Sequence, residues 1–324
     1  MGIISCKNPP NSFLSMKTIL LTGISGFLGS HIAEELIKQG FSVVGLKRSS
    51  SNLWRCNSFY DQIKWINCNN LSDVESEIIK CKPEILIHAA WNGVKAIDRD
   101  DWTEQEKNLT FLVSLFEVVK KAGISKIIAI GSQAEYGVFD GIVDENYHCN
   151  PNSAYGATKL CASTLLKAYA ENNKVDWYWI RIFSVFGPRE DKNWLIPATI
   201  NNLLDKKEMA LTPCDQNYDY LYTKDFALGI LSIINCPLSR SGIYNMSSGT
   251  SIKIKDILAF LENKLSPQQK LLQMGALSYR PNQVMNMQGN SDLFFKSFSF
   301  KPTYTIFEGL EETVNYFISR RNNV

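Results

Sequence analysis

The sequence predicts an α/β protein built on a doubly wound parallel sheet, with a smaller lobe drawn mainly from its C-terminal part. Three observations carry this. Short apolar runs alternate with longer amphipathic segments through the first two-thirds of the chain, the pattern of parallel strands joined by crossover helices. A glycine-rich turn, "TGISGFLG" (22–29), separates the first apolar run from the first amphipathic segment. The chain has 324 residues and is 45% hydrophobic, enough for one large domain or two unequal ones with a true core.

The elements follow in order. "KTILLTG" (17–23) reads as a buried strand, and "FLGSHIAEELIKQG" (27–40) has helical apolar spacing and stops on Gly40. "FSVVGL" (41–46), "IKWIN" (63–67) and "EILIHAA" (84–90) supply three more strands. A long amphipathic helix fits 102–122 and ends at Gly123; "KIIAIGS" (126–132), a helix over 153–172 and the strand "DWYWIRIF" (176–183) follow. After Ile182 the elements shorten, and "TIFEGLEETVNYFISR" (305–320) reads as a last amphipathic helix. The expected organisation is a loose extension over 1–15, a nucleotide-binding unit over 16–182, and a lobe over 183–324 that closes a cleft.

Bulk properties exclude several classes. A net charge of +2 leaves no footprint for nucleic acid. No apolar run is long enough to span a bilayer, and the first fifteen residues lack the form of a signal peptide, so a cytoplasmic protein is expected. Eight cysteines form no CxxC pair and there are only three histidines, so no metal site is expected and the thiols are read as reduced.

Gly23, Gly26 and Gly29 recur at three-residue spacing between a strand and a helix. That turn lets the backbone approach a pyrophosphate while the helix N-terminus aims its amides at it, so a Rossmann-type dinucleotide site is expected, with Ser25, Phe27 and Leu28 completing the loop. A dinucleotide site of the NAD type has an acidic residue at the end of the second strand. Here Lys47, Arg48 and Ser49 follow Leu46 with no carboxylate, which points to a 2′-phosphate and NADP; the alternative is an ordinary solvated basic loop. Asn70 and Leu71, after the third strand, stand where an adenine edge could be contacted.

"SAYGATKLCAS" places Tyr155 and Lys159 four residues apart at a helix start, on one face. A free tyrosine, with a pKa of about 10, is a poor acid or base near neutrality. A nearby ammonium favours the phenolate and lowers that value. With Ser132 donating to a substrate oxygen, the three make a site for hydride transfer at a carbonyl or alcohol carbon.

In these residues the chain resembles the extended short-chain dehydrogenases/reductases, in the sugar-nucleotide epimerase/dehydratase/reductase group. The resemblance runs over about 17–320, through "TGISGFLG", "HAAW" (88–91), Asn108, "GSQAEYG" (131–137), "YGATK" (155–159), "RIFSVFGPRED" (181–191), "DYLYTKDFALGI" (219–230) and "YRPNQ" (279–283). It implies a Ser132–Tyr155–Lys159 triad with Tyr155 as general acid or base. Asn108 would support the active-site helix and a relay water, or else be a polar residue on a dimer face. On the strength of the same resemblance Ala89 and Ala90, after the fourth strand, are expected beside the cofactor, and Phe183 is counted with them. It also implies a homodimer through the helices 102–122 and 153–172.

Within that group, 4,6-dehydratases carry "TDEVYG", whose Asp and Glu perform an elimination. Here Gln133 and Ala134 take those places, and neither can do acid–base work. Glu135 falls one place late and is expected to be structural. This leaves reductases and 4-epimerases, and the Lys47–Arg48 loop tips the reading to an NADPH-dependent 4-ketoreductase acting on a nucleotide-linked 4-keto-6-deoxy sugar, similar to the enzymes that finish abequose, paratose or 6-deoxytalose nucleotides. The alternatives are a 4-epimerase with tightly held NAD and a catalytically silent NADP sensor. For the substrate, the resemblance suggests Trp91, Gln133, Ser184 (where an Asn is common), Trp194 and Arg280. Tyr218 stands where an Arg is frequent.

Overall fold

In the computed structural model, which describes residues 17–95, 97–236, 239–280 and 283–322, seven parallel strands form one sheet. Five come from the first part of the chain: β1 (Thr18–Thr22), β2 (Ser42–Lys47), β3 (Ile63–Asn67), β4 (Ile85–His88) and β5 (Lys126–Ser132). The strands Asp176–Ile182 and Gly242–Met246 extend the sheet beyond β5, while β2 and β3 extend it from the other side of β1. The winding therefore reverses between β1 and β4, and the crevice at their carboxyl ends is where such sheets take ligands.

The strands read as unbroken apolar runs because both faces are covered. Alternate residues go to opposite sides. Ile19, Leu21, Val43, Ile85 and Ile87 pack with Ile32 and Leu36 of helix α1 (Phe27–Lys38) and with Phe226 and Ile230 of the helix Thr223–Asn235. Leu20, Val44, Leu86, Ile127 and Ala129 pack against helices α2 (Leu71–Lys80), α3 (Trp102–Ala122) and α4 (Ala154–Asn173) through Ile78, Leu112, Leu115 and Leu166. α3 starts where the Asp101 carboxylate accepts from the amides of Thr103 and Glu104, and stops at Gly123, whose φ of 70° is the left-handed conformation glycine adopts without strain.

A second sheet carries the strands Ser251–Lys253, Asn217–Tyr222, Asn286–Gly289 and Gly141–Val143, and Ser184–Phe186 pairs with Asn217–Tyr222. Its lobe has a separate core around Phe186, Ile200, Leu258, Leu261, Leu310 and Val314. The boundary expected at 182 is not a single cut. Gly141–Val143 joins the lobe's sheet, while Gly242–Met246 and the helix Thr223–Asn235 return to the main one. The two parts are tied at the crossing: Arg189 donates to His31 Nδ1 (2.8 Å) and pairs with Glu34, and His31 Nε2 donates to Pro188 O (2.7 Å). Burial, helped by the Arg189 charge, keeps that imidazole neutral, with a pKa lowered to about 3.

The expected loose extension over 1–15 lies outside the described residues. Among the described residues no helix is long and apolar enough to cross a membrane. Among the described residues Cys56, Cys68, Cys81, Cys149, Cys161 and Cys214 are free thiols.

Candidate active site

The glycine turn joins β1 to α1, against the end of β4. Gly23 has φ 72°, and a Cβ there would come within 2.5 Å of the backbone of Ala89 and Ala90. A Cβ on Gly29 would lie 2.2 Å from Gly23 O. Both positions therefore need glycine for close backbone approach. α1 begins at Gly26 with no side chain capping it, so its first amides are left for a ligand. Ser25, Phe27 and Leu28 are partly exposed along this turn. The features of a dinucleotide phosphate site are present, and the residues fit that group.

At the end of β2, Lys47 Nζ donates to Asn67 Oδ1 (2.7 Å), Ser49 donates to Asn69 Oδ1 through both its amide and its hydroxyl (3.2 Å each), and Arg48 is exposed. No carboxylate stands among residues 46–49. The adenine contact expected of Asn70 and Leu71 is less well supported. Asn70 Oδ1 accepts from the Ser72 amide as the cap of α2, and Leu71 is buried in the core. The structure adds Arg55, whose Nε donates to Arg189 O (2.8 Å) and whose Nη1 reaches Ser25 O (3.5 Å) behind the glycine turn. Nothing in its local sequence marks it.

Ser132 ends β5, and its hydroxyl accepts from the Ala134 amide (3.1 Å). Tyr155 and Lys159 lie on the first turns of α4 and are both buried. Burial raises the Tyr155 phenol's pKa, opposed by the Ser132 side chain and by the charge of Arg99. The net direction is upward, where the sequence led to an expected lowering by Lys159. The Lys159 ammonium donates to Ile130 O (2.6 Å) and stands 3.6 Å from the centre of the Trp91 ring but 6.0 Å from that of Tyr155. Burial lowers its own pKa to about 7, against the charge of Glu135. His88 lies close by, with Nδ1 and Thr22 Oγ1 2.8 Å apart; burial and then the Lys159 charge lower its pKa to about 3, so it is a neutral neighbour.

Glu135 is structural, as expected. It is wholly buried and accepts from Ser132 N, Trp179 Nε1 and Arg181 Nε, each at 2.8 Å. Gln133 is partly exposed, and its side chain makes no hydrogen bond among the described residues.

Around this centre, Trp91 Nε1 donates to Gln105 Oε1 (3.0 Å). Asn108 is buried, which sets aside the dimer-face reading, and it pins the loop after β4 by accepting from Asn92 N (2.8 Å) and donating to Asn92 O (3.2 Å). Phe183 packs with Tyr136, Phe139 and Met287, and Ser184 pairs with Tyr220. Trp194 is 40% exposed at the start of the helix Leu195–Leu204. Arg280 is exposed near Tyr218, which donates to Val284 O (2.9 Å) and accepts from Gln283 (2.7 Å). Among the described residues no contact links Arg280 to the Ser132–Tyr155–Lys159 group. One neighbour went unforeseen: Arg99, whose guanidinium carbon is 5.1 Å from the centre of the Tyr155 ring and 5.9 Å from that of Trp194.

Comparison with known proteins agrees with this geometry. The chain is 26% identical to a UDP-glucuronate 4-epimerase of Thermodesulfobacterium geofontis, covering 92% of this chain and 95% of the relative. It is 24% identical to a CDP-abequose synthase of Salmonella muenchen, covering 92% and 97%. Among solved structures, a UDP-N-acetylglucosamine 4-epimerase from Methanobrevibacter ruminantium superposes with a TM-score of 0.83 at 26% identity, over 95% of this chain and all of that one. The pattern of the NAD dependent epimerase/dehydratase family matches residues 19–247, and the chain belongs to that family.

Proposed function

We propose that this enzyme is an NADPH-dependent 4-ketoreductase acting on a nucleotide-linked 4-keto-6-deoxy or 3,6-dideoxy hexose. The observation that carries the reading is the end of β5. Ser132 and Tyr155 face one another there, whereas the positions used for elimination hold Gln133 and Ala134, and the carboxylate at that strand end, Glu135, is locked against Arg181. Hydride chemistry is thus supported without elimination chemistry. Likeness to a CDP-abequose synthase supports the same substrate class.

The dinucleotide, when bound, supplies the hydride. The chain's part is to hold and protonate the sugar. Ser132 orients the C4 oxygen, and Tyr155 gives its hydroxyl proton to that oxygen as the carbonyl is reduced. Lys159, with Trp91 beneath it, fixes the floor of the site, and Asn108 keeps the loop bearing Trp91 in place.

The test is incubation with NADPH and a panel of CDP-, dTDP- and GDP-linked 4-keto-6-deoxy sugars, following absorbance of the reduced nicotinamide. Consumption with one of them is expected. A 4-keto-6-deoxy product formed instead from a 4-hydroxy hexose overturns the reading. The second reading, a 4-epimerase with resident NAD, is favoured by the epimerases among the relatives. The cofactor separates the two. Replacing Lys47 or Arg48 by Ala is expected to weaken NADPH binding by about 1–3 kcal/mol, as for a lost charge-assisted hydrogen bond, and to leave NADH binding nearly unchanged. Tighter binding of NADH than NADPH by the wild type favours the epimerase.

A homodimer is part of the same reading. The outer faces of α3 and α4 leave Trp102 65% and Val113 49% exposed, with Cys161 also exposed, and two-fold pairing would cover them. Light scattering is expected to give twice the chain mass of 36.7 kDa, and a monomer at micromolar concentration contradicts it.

A further inference from the structure

Tyr155 meets two cations, and the one outside the shared motif is nearer. The Arg99 guanidinium lies 5.1 Å from the centre of the phenol ring, against 6.0 Å for the Lys159 ammonium, which is drawn toward Trp91 and Ile130 O. Arg99 is fixed at both ends. Its carbonyl accepts from the Tyr155 amide (2.8 Å), the adjoining Asp100 carboxylate accepts from the Ala154 amide (3.1 Å), and its Nε donates to Val94 O (3.1 Å). Among the described residues its terminal amino groups make no hydrogen bond and no carboxylate pairs with it. The loop before α3 thus caps the start of α4 and carries a half-buried positive charge over the face of the tyrosine.

A guanidinium over an aromatic face is attracted to the ring, and more strongly once the ring carries phenolate charge. We propose that Arg99 is a positioning residue for Tyr155, fixing the phenol from the loop side and stabilising the phenolate left when its proton passes to the sugar oxygen. The inference rests on Tyr155 being the proton donor of the proposed reaction. The other groups facing the phenol are Ser132 and Glu135 from the end of β5 and Lys159 from α4 itself. Ser132 is neutral, and the Glu135 carboxylate opposes phenolate formation while paired to Arg181. The direction of the Arg99 effect on the phenol, downward against burial, agrees with this arrangement.

The test is direct titration of the protein labelled with 13Cζ-tyrosine, with Tyr155→Phe identifying the resonance. Arg99→Gln is expected to raise the Tyr155 pKa by about one unit, and Arg99→Lys to keep most of the wild-type value. An unmoved titration in Arg99→Gln overturns the inference, as does an equal shift in both variants, which would indicate packing rather than charge. These readouts need no substrate. With an active substrate, Arg99→Gln should move the alkaline limb of kcat/KM upward by the same amount. Turnover that survives Tyr155→Phe would instead remove the proton donor of the proposed reaction, whatever the Arg99 titration shows.

Discussion

Tyr155→Phe is expected to lower turnover by about 10²–10⁴-fold while dinucleotide binding persists, because the substitution removes only a proton donor. The ring is buried against Trp91 at 6.3 Å between centroids and lies under Arg99, and phenylalanine keeps both contacts. The cofactor turn at Gly23, Gly26 and Gly29 is built by other elements and should be untouched. Titration of nicotinamide fluorescence would follow binding, and absorbance would follow turnover, in the same preparation. A variant that turns over within threefold of wild type would mean that another group protonates the sugar. Ser132 is the only other hydroxyl placed at this centre by the motif. Ser132→Ala should cost about 10²-fold, as for one donor to a developing oxyanion.

Much of this centre was legible because its parts are local. The glycine turn, the i,i+4 pair of Tyr155 and Lys159 and the polar end of β5 are each set by a few consecutive residues whose backbone state follows from their types. The sheet was legible for the same reason, since runs such as "KIIAIGS" fit a strand covered on both faces. The residues that were missed depend on contacts far along the chain. Arg99 reaches Tyr155 only because α4 begins against the loop before α3, and Arg55 meets the glycine turn at Ser25 O while held by Arg189 O of the crossing segment. No periodicity marks either one. The sense of the Tyr155–Lys159 coupling was also out of reach. Helical spacing puts the two on one face, but it cannot show that Trp91 and Ile130 O compete for the ammonium. That the early strand Gly141–Val143 pairs in the second sheet was out of reach, because a strand of three residues is too short to announce which sheet it joins.

Glu135→Ala is expected to destabilise the protein by about 3–5 kcal/mol, the cost of removing one partner from a buried ion pair. Glu135 and Arg181 have side chains 0% and 3% exposed, so the arginine left behind would have no water to replace its carboxylate. Trp179 Nε1 and the Ser132 amide would lose their acceptor too, each of them buried. Against a usual total stability of about 5–15 kcal/mol, such a loss is large. Urea unfolding monitored by the fluorescence of the seven tryptophans would measure it. Adding Arg181→Met should recover part of the loss, since the double variant has no stranded charge. If the single variant unfolds within 1 kcal/mol of wild type, Glu135 is not the buried anchor its geometry indicates. The molecules of Glu135→Ala that do fold should also be poor catalysts. The same carboxylate that holds the Ser132 amide sets the strand end that carries the Ser132 hydroxyl. In the proposed reaction the carboxylate at this strand end, one residue out of register, serves the chemistry by positioning it, and its pairing with Arg181 keeps it from acting in an elimination.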